Sequence, residues 1–312
     1  VLVLDAGNAL FKSRDSAAAP DARARAELVL SQMDAQGTAA MAVGSRDLGL
    51  GVAFLQRQTR KAGLKLLSVN LADAQGKRLF PASAVVTVGG LKVGVVGVSP
   101  VTEKPVPVGV PAPGAPQEVV QGLPVQPALA AEVRQLREKA KVALVLVLAA
   151  LPHTEALRLA DEVEGVDFVV QSHEGRGPGI PQRQALATLI PPGDRGRQLA
   201  KLVLHLDGQG RFEDAGELER ARQHLRLLDD NLVRARARLS GAKDAAEKRS
   251  MEQMVASLEA RQQALRQTVK GGETGSGRTH LLSYIQLGSD VPADPAVQKQ
   301  VERVEPPGSA SH

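Results

Sequence analysis

Cysteine and tryptophan are absent from the 312 residues, tyrosine occurs once and phenylalanine five times. Without cysteine there are no disulfide staples, no thiolate metal sites and no cysteine nucleophile. The shortage of rings counts against base recognition, because sites that read bases stack them on aromatic faces. Long apolar runs are missing too: no stretch approaches the ~20 residues that a membrane-spanning helix needs. No signal-peptide pattern is visible, although Val1 opens inside an apolar run, as if the natural start lay upstream.

What is present suits a packed interior of aliphatic character, with 43% apolar residues. The formal net charge of +5 is local. Residues 217–270 hold twelve Lys/Arg against eight Asp/Glu, so most of the excess sits on one stretch, interleaved with acids and without aromatics. That pattern reads as a solvated helix face rather than a phosphate-binding stripe, and no nucleic-acid partner is expected.

Strand and helix patterns alternate over the first two hundred residues. Val1–Leu4 reads as a buried strand, ended by Asp5-Ala6-Gly7-Asn8. Helices are expected near 21–34, 52–62, 128–140 and 153–163, and strands near 39–43, 65–69, 166–171, 185–190 and 199–206. Ala84–Val88 and Leu91–Val98 are β-branched runs split by Gly89-Gly90, a hairpin signal. The proline-rich stretch 100–128 reads as a loop excursion. Val142–Ala149 is an uninterrupted apolar run, typical of a strand covered on both faces. The alternation predicts a layered α/β core.

The pattern then changes. Leu218, Ala221, Leu225, Leu228, Leu232, Ala235 and Leu239 recur at steps of three and four, and Val255, Leu258, Gln262, Leu265 and Val269 resume the spacing after a polar turn at 240–243. Two heptad-patterned helices joined by a short turn fold back as an antiparallel, coiled-coil hairpin, each arm roughly 35–40 Å long at 1.5 Å per residue. Its leucine stripe buries against itself, as a brace, or against a partner or second copy. Leu281–Leu287 alternates like a strand returning to the core, and the tail from Val291 carries at most a short helix.

Four stretches, in order, resemble landmarks of the bacterial 5′-nucleotidase and calcineurin-like metallophosphoesterases. VLVLDAGNALFKS (1–13) resembles the strand and turn that carry a metal-bridging Gly-Asp. GSRDLGLG (44–51) resembles the Gly-Asn-His-Glu turn. LSVN and GGLKVGVVGVSP, within 66–100, are similar to the long strand–turn–hairpin passage, and 142–175 resembles the Ser-His turn, short helix and Gly-Gly-His-x-His end. The closing strand pair is matched by 194–206. The resemblance implies an α-β-β-α sandwich over 1–206 lacking its first strand, a helical hairpin inserted at 216–270, a strand at 278–290 and a tail at 291–312. It also implies a bacterial cell-envelope setting.

Carried over residue by residue, the resemblance implies a degenerate centre. The family's Asp-x-His occurs nowhere in the sequence. The bridging Asp falls at Asn8, the metal-binding Asn at Ser45, the catalytic His at Arg46, its Asp partner at Gly49 and a second imidazole ligand at Gly175. His153 and His173 remain as metal ligands. Two imidazoles without carboxylates fit at most one weakly held divalent ion, so no resident cofactor is expected. Arg46 and Arg176 are the candidates for binding a phosphate-containing anion, unless they pair with a neighbour such as Asp5 or Asp47. His205, His224 and His280 have no partner ligand at metal spacing. The alternative is an active metal-dependent phosphohydrolase whose Asp-x-His lies upstream. With no cysteine, the end of the chain carries no haem-attachment motif of the kind found in related envelope proteins.

Overall fold

The computed structural model of the chain describes residues 1–111, 116–172, 179–193, 196–208, 210–242, 244–271 and 277–305. It is a mixed α/β protein with two compact units, one of Val1–Ala200 with Tyr284–His312 and the other of Lys201–Ser283. The first unit begins β1 (Val3–Asp5), α1 (Ala22–Ala35), β2 (Thr38–Ala42), α2 (Val52–Thr59) and β3 (Lys65–Leu67). Alternating helices let neighbouring strands run the same way, and the three strands form a parallel sheet in the order β1-β2-β3. Ala22, Ala26 and Leu30, four residues apart on α1, turn one face into a core shared with Met41, Phe54 and Leu55.

β3 stops at Leu67, two residues earlier than its apolar run suggests. Beyond it, Ser68 and Asn70 divert the chain into a buried polar network. The Ser68 and Ser99 hydroxyls lie 2.7 Å apart, and the Asn70 amide donates to the carbonyls of Ser99 at 2.8 Å and Leu123 at 3.0 Å. Side-chain bonds to backbone of this kind compete with ladder pairing. A short strand β4 (Leu71–Ala72) follows, then β5 (Ser83–Val88) and β6 (Leu91–Val98), joined by Gly89 and Gly90, both at positive φ. β6 passes so close to the first sheet that a Cβ on Gly97 would lie 2.2 Å from the Leu67 carbonyl oxygen.

The proline-rich stretch is not a plain loop. It holds β7 (Val106–Val108) and β8 (Glu118–Gly122), an antiparallel pair that extends from β4 in the order β4-β8-β7. Pro107 is tolerated because β7 is an edge strand, where a missing N–H costs little. α3 (Val125–Gln135) starts before Pro127, earlier than expected, and ends in a π turn over 136–140 with Lys141 left-handed. Next come β9 (Leu144–Ala149), α4 (His153–Glu162), β10 (Phe168–Gln171), β11 (Gln182–Arg183) and β12 (Thr188–Ile190). They complete a six-stranded sheet, β11-β12-β10-β9-β6-β5, in which β6, β9, β10 and β12 are parallel. Every residue of β9 is buried, as its unbroken apolar run predicts. Leu129, Val133, Leu159 and Ala160 of α3 and α4 cover its sheet.

β13 (Gln198–Leu206), β14 (Glu213–Asp214) and, after the helices, β15 (Arg278–Gln286) form a separate sheet in the order β13-β15-β14. β15 therefore pairs here and not at an edge of either core sheet. Between its strands run α5 (Ala215–Gly241) and α6 (Ala245–Gly271). Asp214 caps α5 by accepting from the Gly216 N–H. Arg236 meets Glu259 at 2.6 Å and Asp229 accepts from Gln262, so the two helices run antiparallel. Leu232, Ala235 and Val255 form their buried centre, with Leu239 and Leu258 against it. α7 (Pro295–Val304), capped by Asp294, belongs to the first unit, where Gln300 bonds Gln32 and Glu305 meets Arg25 at 2.7 Å. No described helix is long and apolar enough to cross a membrane.

Candidate functional site

The carboxyl ends of β1, β2 and β10 converge on one buried polar cluster, centred on Asp47. After β1 the chain turns through Gly7 and Asn8, both left-handed, and an asparagine tolerates that region because its short amide bonds locally. After β2 it turns through Gly44, Ser45 and Arg46 into a short 3-10 segment over Asp47–Leu50. Asp47 is fully buried and clamps these turns together. Its Oδ2 accepts the N–H groups of Asn8 at 2.7 Å and Gly44 at 2.8 Å, and its Oδ1 accepts that of Leu10 at 3.1 Å. Burial, aided by the nearby Asp5 carboxylate, pushes its pKa up to about 7 against the pull of those three N–H bonds. Asp5 is itself pushed up by burial, opposed by the Gly7 N–H.

Asn8 points inward. Its Oδ1 accepts the Arg46 N–H at 3.0 Å and its Nδ2 donates to the Ser172 hydroxyl, 3.3 Å away at the end of β10. The packing is tight: a Cβ on Gly44 would lie 2.2 Å from the Asn8 amide oxygen, so only glycine fits there. Ser45 is half-buried, and its carbonyl accepts the Nε–H of Arg14 at 3.1 Å. Arg46 is half-buried as well. Asp47, named above as a possible partner for Arg46, spends both oxygens on backbone amides.

His153 opens α4, one turn beyond the end of β9. Its Nδ1 lies 3.0 Å from the Oε1 of the buried Gln171 and its Nε2 lies 3.5 Å from the amide nitrogen of Gln182 on β11. An amide oxygen can only accept, so Nδ1 carries the proton and Nε2 presents its lone pair. No described hydrogen bond joins His153 to Asn8 or Asp47. The two sides meet only through Gln171 and Ser172, adjacent at the end of β10. His173 and Arg176 lie outside the described residues, as does Gly175. His205, His224 and His280 sit on β13, α5 and β15, in the other unit.

Two divalent cations held a few Å apart need charged oxygen donors shared between them. The Asn8 oxygen is neutral and already accepts a backbone N–H, while the Asp47 carboxylate is enclosed by amides. Among the described residues no group of three or more His, Asp or Glu side chains is placed to hold a metal ion. The described donors thus do not fit a bridged pair of ions. Sequence reasoning missed Asp47 as the centre of the cluster. Its place as the acid of the turn that resembles Gly-Asn-His-Glu marked a candidate position, but not the long-range contacts that make it the centre.

No family model matches the sequence, and no curated protein does. Solved structures do resemble it. A sulfate thiohydrolase SoxB of Thermus thermophilus in complex with glycerol superposes with a TM-score of 0.52 at 23% identity, over 65% of this chain and 35% of that one. A 5′-nucleotidase precursor, also from Thermus thermophilus, gives 0.50 at 24%, over 64% and 41%. The calcineurin-like phosphoesterase YfkN of Bacillus subtilis gives 0.55 at 14%, over 97% of this chain and 82% of that one. The chain thus spans well under half the length of the first two. At these identities the likeness is one of fold.

Proposed function

We propose, from the premise that this chain has the metallophosphoesterase fold of 5′-nucleotidases and calcineurin-like proteins, that it is a non-catalytic member of that fold which binds rather than cleaves. The observation that carries this reading is Asn8. At the turn where a hydrolase of this kind needs a bridging carboxylate stands a buried, uncharged amide, with both polar atoms engaged by Arg46 and Ser172. Removing the shared negative charge removes the main electrostatic reason for two cations to sit together. With no metal-bound hydroxide, no nucleophile is generated for phosphoester hydrolysis.

What the centre keeps is positive. Arg46 on the turn supplies a guanidinium group suited to a phosphate-containing anion, and the resemblance names Arg176 as the second candidate. The helices α5 and α6 serve as a coiled-coil hairpin for contacts with a partner or a second copy. Resemblance to bacterial envelope proteins supports a cell-envelope setting. A second reading, one weakly held divalent ion, is favoured by His153. Its Nδ1–H is fixed by Gln171, which aims the Nε2 lone pair as metal-ligating histidines are aimed. Incubation with p-nitrophenyl phosphate and bis-p-nitrophenyl phosphate in the presence of Mn²⁺ or Zn²⁺ tests the proposal. No turnover above the buffer rate is expected, and metal-dependent turnover abolished by His153→Ala would refute it.

A further inference from the structure

The six-stranded sheet ends at β5, and the open side of that strand is unguarded. The Gly97 N–H bonds the Ala82 carbonyl at 3.2 Å, which fixes residues 82 and 97 as a bonded pair of the antiparallel ladder. Bonded pairs recur at every second residue. Ala84, Val86 and Val88 therefore turn their N–H and C=O groups to β6, and Ser83, Val85 and Thr87 turn theirs away. The Pro81 carbonyl points the same outward way and takes the Ser68 N–H at 2.9 Å. Beyond it, among the described residues, no group bonds the outward backbone of Ser83, Val85 and Thr87. Edges of this kind pair with other chains unless charge, proline or short length blunts them. Two other edges have such protection: β7 carries Pro107, and β11 is Gln182–Arg183 alone. β5 reads Ser-Ala-Val-Val-Thr-Val, without charge or proline, and Val85 is 46% exposed.

The charges beside this edge select its occupant. Side chains alternate across a sheet, so Ser83, Val85 and Thr87 share one face, the face that α3 covers. There the Ser83 hydroxyl donates to the Glu132 carboxylate of α3 at 2.5 Å. At the other end of the strand Lys92, exposed, stands directly opposite Thr87. Neither Glu132 nor Lys92 forms an ion pair among the described residues. A second β5 laid antiparallel, Val85 against Val85, puts Ser83 against Thr87 and each copy's Glu132 on the side of the other's Lys92. The gap is two strand spacings, about 10 Å, which the two side chains span. A parallel copy brings like charges together instead.

We infer that the β5 edge pairs with β5 of a second copy of this chain, antiparallel about Val85, joining the two six-stranded sheets into one. The Ser83–Thr87 and Val85–Val85 pairs each exchange both backbone hydrogen bonds. Contact along one short strand falls below the low end of stable interfaces, about 1,200 Å², so the dimer is weak and reversible. The inference goes beyond the reading of the centre and holds whether or not that centre is catalytic.

Sedimentation velocity of the whole chain over a range of concentrations tests the inference, beside NMR-detected hydrogen exchange of the β5 amides. The mass is expected to rise from monomer towards dimer. As it does, the Ser83, Val85 and Thr87 amides slow, while those of Ala84, Val86 and Val88 do not change. Val85→Lys sets like charges face to face and is expected to weaken association at least about tenfold. Lys92→Glu and Glu132→Lys are each expected to weaken it about fivefold. An equimolar mixture of those two variants restores it, because the mixed dimer has opposite charges at both ends. Melting temperatures establish that all three variants are folded. A monomer at every concentration overturns the inference. So does a dimer that Val85→Lys leaves intact and whose outward amides exchange at one rate throughout, since the copies then meet elsewhere, as at α5 and α6. A mixture that fails to restore association overturns the antiparallel pairing.

Discussion

The Asp47 turn and the His153 corner flank the same strand end, Gln171–Ser172, yet they are built differently. Around Asp47 the polar atoms of Asn8 and the carboxylate itself are buried and engaged, mostly with backbone. Around His153 the ring is half-buried and holds one hydrogen bond of 3.0 Å and one contact at 3.5 Å, the limit of such a bond. The first is a polar core closed by its own hydrogen bonds. The second is a more loosely held imidazole, fixed at Nδ1 by Gln171. The two sides therefore differ in kind: where backbone amides take up a carboxylate, the polar groups become part of the fold.

The largest effect that would break this comparison is expected at Asp47. Asp47→Ala strands three buried N–H donors, and at ~1–3 kcal/mol each chemical denaturation should show a loss of roughly 3–5 kcal/mol. A loss under about 1 kcal/mol, the worth of one ordinary hydrogen bond, would mean that the cradle is not structural.

Asn8→Ala is expected to cost roughly 2–3 kcal/mol, the sum of a left-handed residue without a local amide and one orphaned partner. The same measurement reports it, and a value no larger than that of an exposed surface substitution would contradict the account.

The pH dependence sharpens the same point. The folded pKa of Asp47, about 7, stands above its unfolded value of 3.8. Between those values the folded state binds more protons, so this group's contribution is full below about pH 4 and is lost as pH rises towards 7. Urea unfolding at pH 5 and pH 8 should give a lower stability at pH 8, and Asp47→Asn should flatten that difference. A wild-type chain more stable at pH 8, with Asp47→Asn unchanged, would contradict the assignment.

The smallest effect belongs to the other corner. His153→Gln should change stability by less than about 1 kcal/mol, in line with a partly exposed hydrogen bond. A cost matching that of Asp47→Ala would erase the distinction between the two sides.

Much of the scaffold was legible in the sequence. Gly89-Gly90 between β-branched runs gave the hairpin, the unbroken run before Ala149 gave a central strand, and the spacing of Leu232, Ala235 and Val255 marked the residues that meet between α5 and α6. Local chemistry wrote those signals. β7 and β8 were hidden because strands of three and five residues among prolines carry no period to read. The early end of β3 was hidden for another reason: it depends on Ser99, distant in sequence, bonding Ser68 and Asn70. Asp47 follows the same rule. Nothing local in Ser-Arg-Asp-Leu says that its carboxylate closes on the amides of Asn8 and Leu10, since that contact exists only once β1 and β2 are paired.

The most direct test is a metal count. The purified chain is saturated with Mn²⁺ or Zn²⁺, dialysed and measured by inductively coupled plasma mass spectrometry, beside Asn8→Asp. An uncharged, inward-facing Asn8 predicts fewer than one equivalent retained by the natural chain. Two tightly held equivalents would contradict it.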